Sequence, residues 1–306
     1  MGEKISQLKK YSIWAKERFP VPAVILLSAS MYYLSYFYAN LFKTKGPVNW
    51  IETILGVAVI FFVMLHLRVF DEHKDYEKDR VAHPDRALSK GIITLKDLRV
   101  LMAAAIIIEI AASAYIGLEQ LIVWSIIMLW SFLMLVEFFC PEFLNRRIGL
   151  YLLTHQLLIP IIVFFGFSQR YNLLETSGSD LKWIILFPLY VMCVSITYEI
   201  SRKTWSEDRE HELADSYTKV WGRTKTVIIN QAVALCGGGI LLYIYISFKI
   251  SAIYMALLSG FYLLFLLSEI LFLVKPENKN SKIVEAGGIL FMLGLFISSM
   301  AAFYNY

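Results

Sequence analysis

Residues 50–79 read WIETILGVAVIFFVMLHLRVFDEHKDYEKD. Some twenty apolar residues give way abruptly to Asp71, Asp75 and Asp79, with Glu72 and Glu77 between them. An apolar run of about 20 residues is long enough to cross a bilayer as a helix. Residues four and eight apart share one helix face, so this spacing predicts three carboxylates projecting together from the end of a membrane span. Like charges stacked at that interval repel one another, and something cationic must offset them. Lys74, Lys78 and Arg80 offset part of the charge if the ladder is only a solvated face. The alternative is a divalent cation: Mg²⁺ is held by one or two carboxylates while it keeps waters and phosphate oxygens.

The composition agrees with a membrane setting. The chain has 306 residues, 58% of them hydrophobic, and a mean hydropathy of +0.59, well above the values of a soluble globular chain. Nine segments are long and apolar enough to span, at roughly 20–42, 50–70, 97–117, 120–139, 148–168, 182–199, 225–247, 251–274 and 283–305. The expected fold is therefore all-α, a polytopic bundle of nine transmembrane helices forming a single domain over residues 1–306. Placing the N-terminus in the cytoplasm puts all but Lys43, Lys45, Arg170, Lys182 and Lys249 of the 29 Lys and Arg on that side, as the positive-inside rule requires. Residues 1–19 then form a cytoplasmic tail, basic but without the apolar core of a signal peptide. The expected location is the cell (inner) membrane, with the active site facing the cytoplasm.

Small and breaking residues are read against that frame. Gly237, Gly238, Gly239, Gly287 and Gly288 mark close helix packing, and Pro160 and Pro188 mark kinks. Cys140, Cys193 and Cys236 have neither metal-ligand spacing nor a disulfide framework. Polar groups at membrane depth are functional candidates, here His66, Arg68, Glu109, Glu137, His155, Gln156 and Glu269. Packing and interhelical hydrogen bonds are the plainer explanation for the histidines.

The polar stretch after the ladder, RVAHPDRALSKGIIT (80–94), supplies Arg80, Arg86 and Lys90, with Pro84 and Gly91 shaping a loop. Arginine and lysine there suit phosphate oxygens that a metal does not reach. DEHKDYEKD resembles the first signature of the UbiA superfamily of intramembrane prenyltransferases, NDxxDxxxD. Asp71 stands at the Asn, and Glu72, Asp75 and Asp79 at the acidic positions. HPDRALSKGIIT is similar to the PxRPLxxGxIS segment that follows in that family, and the count of nine helices matches.

The family's second acidic ladder, often DxxxDxxxD, corresponds to YEISRKTWSEDREHELADSYTKVWGRTKT (198–226). Its four-residue steps fall on Glu199, Lys203 and Glu207. A lysine at the middle position repels a second Mg²⁺ but pairs with phosphate or with the flanking glutamates. The family's YxxxK pattern after the fourth helix has no tyrosine here; Phe143 and Arg147, or Glu142 and Arg146, hold that spacing.

The resemblance implies an Mg²⁺-dependent enzyme that moves an isoprenyl group from a diphosphate to an aromatic or other lipophilic acceptor and releases diphosphate. The implied metal ligands are Asp71, Glu72, Asp75, Asp79, Glu199 and Glu207. The implied diphosphate contacts are Arg80, Arg86, Lys90, Arg147, Arg202 and Lys203. Asp71, Asp75, Asp79, Arg86 and Lys203 would carry the catalytic work. The expected partners are the diphosphate, the acceptor and the bilayer, with no nucleic acid and no partner protein. A terpene cyclase of the same fold and a non-enzymatic cation-binding transporter are the rival readings. Transporter sites tend to lie near the bilayer midplane, whereas these ladders lie at helix ends.

Overall fold

The computed structural model describes residues 6–42, 44–173, 176–210 and 216–306. Among these residues, nine helical spans are long and apolar enough to cross a membrane. They run over Val21–Leu41, Trp50–Lys74, Leu95–Ile116, Leu118–Leu135, Ile148–Arg170, Gly178–Arg202, Arg223–Ser247, Ala252–Val274 and Asn278–Tyr304. Every expected span is present, within four residues at each end except the start of the last. The described residues contain one isolated antiparallel bridge, Thr44 with Tyr171, and no named strand.

Contacts group the chain into two compact units. The first comprises residues 1–32 and 47–136. It holds α1 (Gln7–Arg18), α3 (Trp50–Lys74), α4 (Tyr76–Ala82), α5 (Leu95–Ile116) and α6 (Leu118–Leu135), with the start of α2 (Val21–Tyr38). Two of its spans, α3 and α5, begin where side chains satisfy the free N–H groups. Asn49 accepts from the amides of Ile51 and Glu52, and Thr94 and Asp97 form a reciprocal capping box at α5. The core here packs Trp14 and Phe19 against Leu65, Val69, Leu88, Ile93 and Leu98. Within the tail expected at residues 1–19, Gln7–Arg18 is a folded helix: Trp14 is 1% exposed, and burying so large a ring fixes α1 in place.

The second unit comprises residues 33–46 and 137–306. It contains the end of α2, then α7 (Pro141–Asn145), α8 (Ile148–Gln156), α9 (Leu158–Arg170), α10 (Gly178–Arg202), α11 (Tyr217–Trp221), α12 (Arg223–Ser247), α13 (Ala252–Val274) and α14 (Asn278–Tyr304). The fifth span is two helices that meet at Leu157. Pro160 has no N–H for the carbonyl of Gln156, which accounts for the break. Pro188, by contrast, sits inside an unbroken α10.

Glycines allow close approach where expected. A Cβ on Gly237 would lie 2.9 Å from that of Cys193, one on Gly287 2.6 Å from Ser268 Oγ, and one on Gly288 2.6 Å from Ser201 Cβ. Gly239 faces open space instead. Before α7, Glu137, Phe138 and Phe139 all have positive φ, at 47°, 53° and 58°, a run of left-handed residues that side chains adopt only under constraint.

Candidate active site

The first carboxylate segment does not form one continuous ladder. α3 ends at Lys74, Asp75 caps it with φ −95° and ψ 5°, and α4 starts at Tyr76. The i to i+4 hydrogen bonds continue, from Asp75 N to Asp71 O at 2.9 Å and from Asp79 N to Asp75 O at 2.8 Å. The regular helix is nevertheless interrupted at Asp75, so the three carboxylates lie on two successive helical segments rather than on one continuous helix. Aspartate is a poor helix former because its side chain competes for backbone groups, and three successive charges add repulsion.

The four acidic groups have different surroundings. Glu72 is buried, 3% exposed. Its Oε1 accepts from Arg18 Nε at 2.7 Å and from Arg68 Nη2 at 2.7 Å. Asp79 Oδ2 accepts from Arg18 Nη2 at 3.1 Å and Arg86 Nη1 at 2.5 Å. Asp71 has a side chain 53% exposed and meets Arg68 only at 3.8 Å. Asp75 is half-buried and engages no cation among the described residues. Three guanidiniums thus neutralise the inner pair, Glu72 and Asp79, and leave Asp71 and Asp75 available.

The loop behind them is built around Ala87. Its N–H donates to Glu17 Oε2 at 2.9 Å, and its carbonyl accepts from Ile92 N at 3.0 Å. Gly91 turns the chain at φ 68°, a conformation that favours glycine. Arg86 projects from this turn onto Asp79. Burial and then the Arg18 charge lower its pKa below the ordinary value, and Asp79 opposes both. Arg80 pairs with Glu77 at 3.3 Å and Lys90 with Asp85 at 3.3 Å, all well exposed. Neither cation pairs with Asp71, Glu72, Asp75 or Asp79.

The second segment is arranged differently. α10 stops at Arg202 because its last carbonyls find other partners. Ile200 O accepts the Thr204 hydroxyl at 2.8 Å, Arg202 O the Trp205 indole N–H at 2.9 Å, and Lys203 O the Tyr217 amide at 3.1 Å. Glu199, Lys203 and Glu207 therefore do not share a helix: Glu207 lies in a 3₁₀ turn, Glu207–Arg209, and is exposed. Glu199 accepts two hydrogen bonds from Arg202 Nη2, both at 2.8 Å, and meets Lys203 Nζ at 3.4 Å. Lys203 also lies 6.0 Å over the Tyr217 ring.

Glu210, which the sequence reading passed over, accepts from the Ser216 hydroxyl and from Thr218 Oγ1. Glu207 and Glu210 line a cavity of about 710 Å³ with Trp205, Lys219 and Arg223. Residues 211–215 of this segment lie outside the described residues. Among the described residues, no three His, Cys, Asp or Glu are grouped to hold a metal by themselves. Arg147 stacks 4.0 Å over the Phe143 ring and donates to the Phe143 carbonyl at 3.2 Å. These two residues and Arg146 line a separate cavity of about 560 Å³.

The polar residues inside spans divide into interhelical ties and local bonds. In the first unit, His66 Nδ1 lies 2.9 Å from Glu109 Oε1, and Trp124 Nε1 donates to Glu109 Oε2 at 2.8 Å, joining α3, α5 and α6. In the second, Asn230 and Gln231 donate to the two oxygens of Glu269 at 2.8 and 2.7 Å, and Gln156 accepts from Ser195 at 2.6 Å. His155 is bonded locally, to the Tyr151 carbonyl at 2.9 Å. The three cysteines are free thiols, and Cys193 and Cys236 are side-chain neighbours across α10 and α12. Arg18 is the main omission of the sequence reading: it lies 54 and 61 residues from its partners, and no local pattern announces such a pairing.

Comparisons with known proteins agree with this fold. The structure of digeranylgeranylglyceryl phosphate synthase matches with a TM-score of 0.69 at 18% identity, over 99% of this chain and 100% of that one. A UbiA homologue from Aeropyrum pernix K1 matches with 0.69 at 15% identity, over 90% and 98%. A UbiA homologue from Archaeoglobus fulgidus, bound to GPP and Mg²⁺, matches with 0.63 at 14% identity, over 97% and 100%. No protein of curated function matches the chain significantly. At these identities the likeness shows the fold alone, and the sequence family is shown separately: the model of the UbiA prenyltransferase family matches residues 32–300, so this nine-span membrane protein belongs to that family.

Proposed function

We propose that the protein is an Mg²⁺-dependent intramembrane prenyltransferase that takes an isoprenyl diphosphate as donor and a lipophilic molecule, aromatic or otherwise, as acceptor. One observation carries the reading. Asp71 and Asp75 stand at the end of an apolar span, Asp71 meeting Arg68 only at 3.8 Å and Asp75 no cation among the described residues, beside a loop that presents Arg86. The donor set fits Mg²⁺: two hard carboxylates on one rim, with remaining positions left for water and phosphate oxygens. Glu72 and Asp79 fit it less well as found, because arginines hold them. The A. fulgidus homologue bound to GPP and Mg²⁺ supports the same assignment. The site is proposed to face the cytoplasm of a cell membrane, in keeping with the distribution of Lys and Arg.

When bound, the metal supplies charge stabilisation for the departing diphosphate. The chain's own residues do the rest. Asp71 and Asp75 hold the cation. Arg86, fixed by the Ala87 turn, offers a guanidinium to the phosphate oxygens, and Arg202 and Lys203 offer further positive charge in the second segment. Preorganised cations of this kind act where negative charge develops, on the leaving diphosphate. The surrounding apolar spans exclude water from the allylic carbon, so that the acceptor rather than solvent captures it.

The test is incubation of purified protein with labelled isoprenyl diphosphates of several chain lengths, with and without a membrane extract. A labelled product that requires extract and Mg²⁺ is the expected result. Product formed without extract identifies a terpene cyclase instead, and no diphosphate release under any condition overturns the enzymatic reading.

A further inference from the structure

The helix α1 is tied to the first carboxylate segment at several points. Tyr11 donates to the carbonyl of Asp97 at 3.0 Å, Trp14 is buried in the core of the first unit, and Glu17 accepts the Ala87 amide. Arg18, the last residue of α1, then bridges Glu72 and Asp79 with its side chain 18% exposed. A carboxylate oxygen accepts about two hydrogen bonds in its plane, and Asp79 Oδ2 already takes two, from Arg18 and Arg86. That oxygen has no place for a metal while both arginines stay, so a metal could use only Oδ1 unless one arginine leaves. The Arg18 contact is the longer, 3.1 against 2.5 Å, and Arg18 keeps Glu72 at 2.7 Å if it lets Asp79 go.

We propose that Arg18 is a positioning residue of this site. It is a counter-ion carried on α1 that holds Asp79 and gives that carboxylate up when a divalent cation binds both of its oxygens, so that metal binding and full docking of α1 oppose each other. The inference rests on the diphosphate-site reading above. Linkage makes the effect reciprocal: whatever loosens the Arg18–Asp79 pair tightens the metal, and the metal loosens the end of α1 by the same factor.

The test uses the full-length protein in detergent and Mn²⁺ alone as the probe, followed by its paramagnetic resonance signal. Arg18→Gln is expected to tighten Mn²⁺ roughly fivefold, equivalent to about 1 kcal/mol. Arg18→Lys keeps the charge but not the planar fork, and its affinity is expected to fall between the two. In wild type, Mn²⁺ is expected to speed amide exchange over residues 15–19. Unchanged or weaker Mn²⁺ binding in Arg18→Gln overturns the proposal, as does Arg18→Lys behaving like wild type, which would reduce the effect to net charge. If Arg18→Gln fails to fold, Arg18→Lys and the exchange measurement on wild type decide. Absence of Mn²⁺ binding in wild type, or binding that survives Asp75→Asn, sinks the diphosphate-site reading instead.

Discussion

The two acidic segments occupy corresponding places in the family pattern, yet their helix ends are paired differently. At the end of α3, Asp71, Glu72 and Asp79 meet the guanidiniums of Arg18, Arg68 and Arg86, and Asp75 meets no cation among the described residues. At the end of α10, Glu199 meets both Arg202 and Lys203, and Glu207, Asp208 and Glu210 follow only beyond the helix end. The first arrangement suits a divalent cation and the second suits a phosphate oxygen.

The largest effect expected from breaking this contrast is at Asp75. Asp75→Asn removes one of two carboxylates with no strong internal partner, and Mg²⁺-dependent diphosphate release should fall by at least about a thousandfold, on the scale of about 4 kcal/mol of transition-state stabilisation. The helix cap should tolerate the change, because Asn is as good as Asp at such positions. Release measured with a phosphate-coupled assay, beside an unchanged thermal midpoint, gives the expected outcome. Turnover near wild type would remove Asp75 from the metal site.

A second contrast lies in burial. The Glu72 side chain is 2% exposed against two arginines, whereas Glu199 is 16% exposed and its partner Arg202 44% exposed. Replacing a buried member of an ion pair leaves uncompensated charge, at about 3–5 kcal/mol, and the loss is smaller where solvent reaches one partner, as it does Arg202. Glu72→Gln should therefore lower the thermal midpoint in detergent far more than Glu199→Gln. Equal shifts would show that Arg18 and Arg68 find other partners when Glu72 is neutral.

How much of this was legible beforehand follows from the range of the physics involved. Span positions depend on local hydropathy, which is why most ends agree to within four residues. The carboxylates and the Ala87 turn with Gly91 are local as well. The break at Asp75 and the end of α10 are less so. They depend on Arg18, Arg86, Trp205 and Tyr217 competing for carboxylates and carbonyls, and such competition is settled by packing rather than by spacing. A four-residue interval shows which residues would share a face if the helix continued; it does not show that the helix continues. The buried ties at His66–Glu109–Trp124 and Asn230–Glu269 were visible as isolated polar residues, but their pairings across 15–43 residues were not.

Lys203 sharpens the comparison at smaller cost. Lys203→Ala removes one cation from the second segment and should weaken inorganic pyrophosphate binding roughly tenfold, or about 1.4 kcal/mol, with the larger effect in KM than in kcat. Lys203→Asp restores the family's acidic step and should lose still more pyrophosphate affinity at low Mg²⁺, then recover part of it at high Mg²⁺. Tighter pyrophosphate binding in Lys203→Ala would mean that the lysine only repels a metal.

The smallest expected effect concerns what holds the second segment in place. Ser201, two residues from Glu199, donates to the Thr197 carbonyl at 2.7 Å, accepts from Asn230 at 3.0 Å and packs against Gly288 of α14. A Cβ at Gly288 would sit 2.6 Å from Ser201 Cβ, too close without movement, and overpacking of this kind costs about 1–3 kcal/mol. Gly288→Ala should lower the thermal midpoint by a few degrees and displace the end of α10. That displacement should appear as weaker pyrophosphate binding through Arg202 and Lys203, with Mn²⁺ affinity at the first segment unchanged. If both affinities fell together, the two segments would be coupled rather than independent contributors. The double variant Gly288→Ala with Ser201→Gly, which returns the lost space, should restore pyrophosphate binding if steric displacement is the cause.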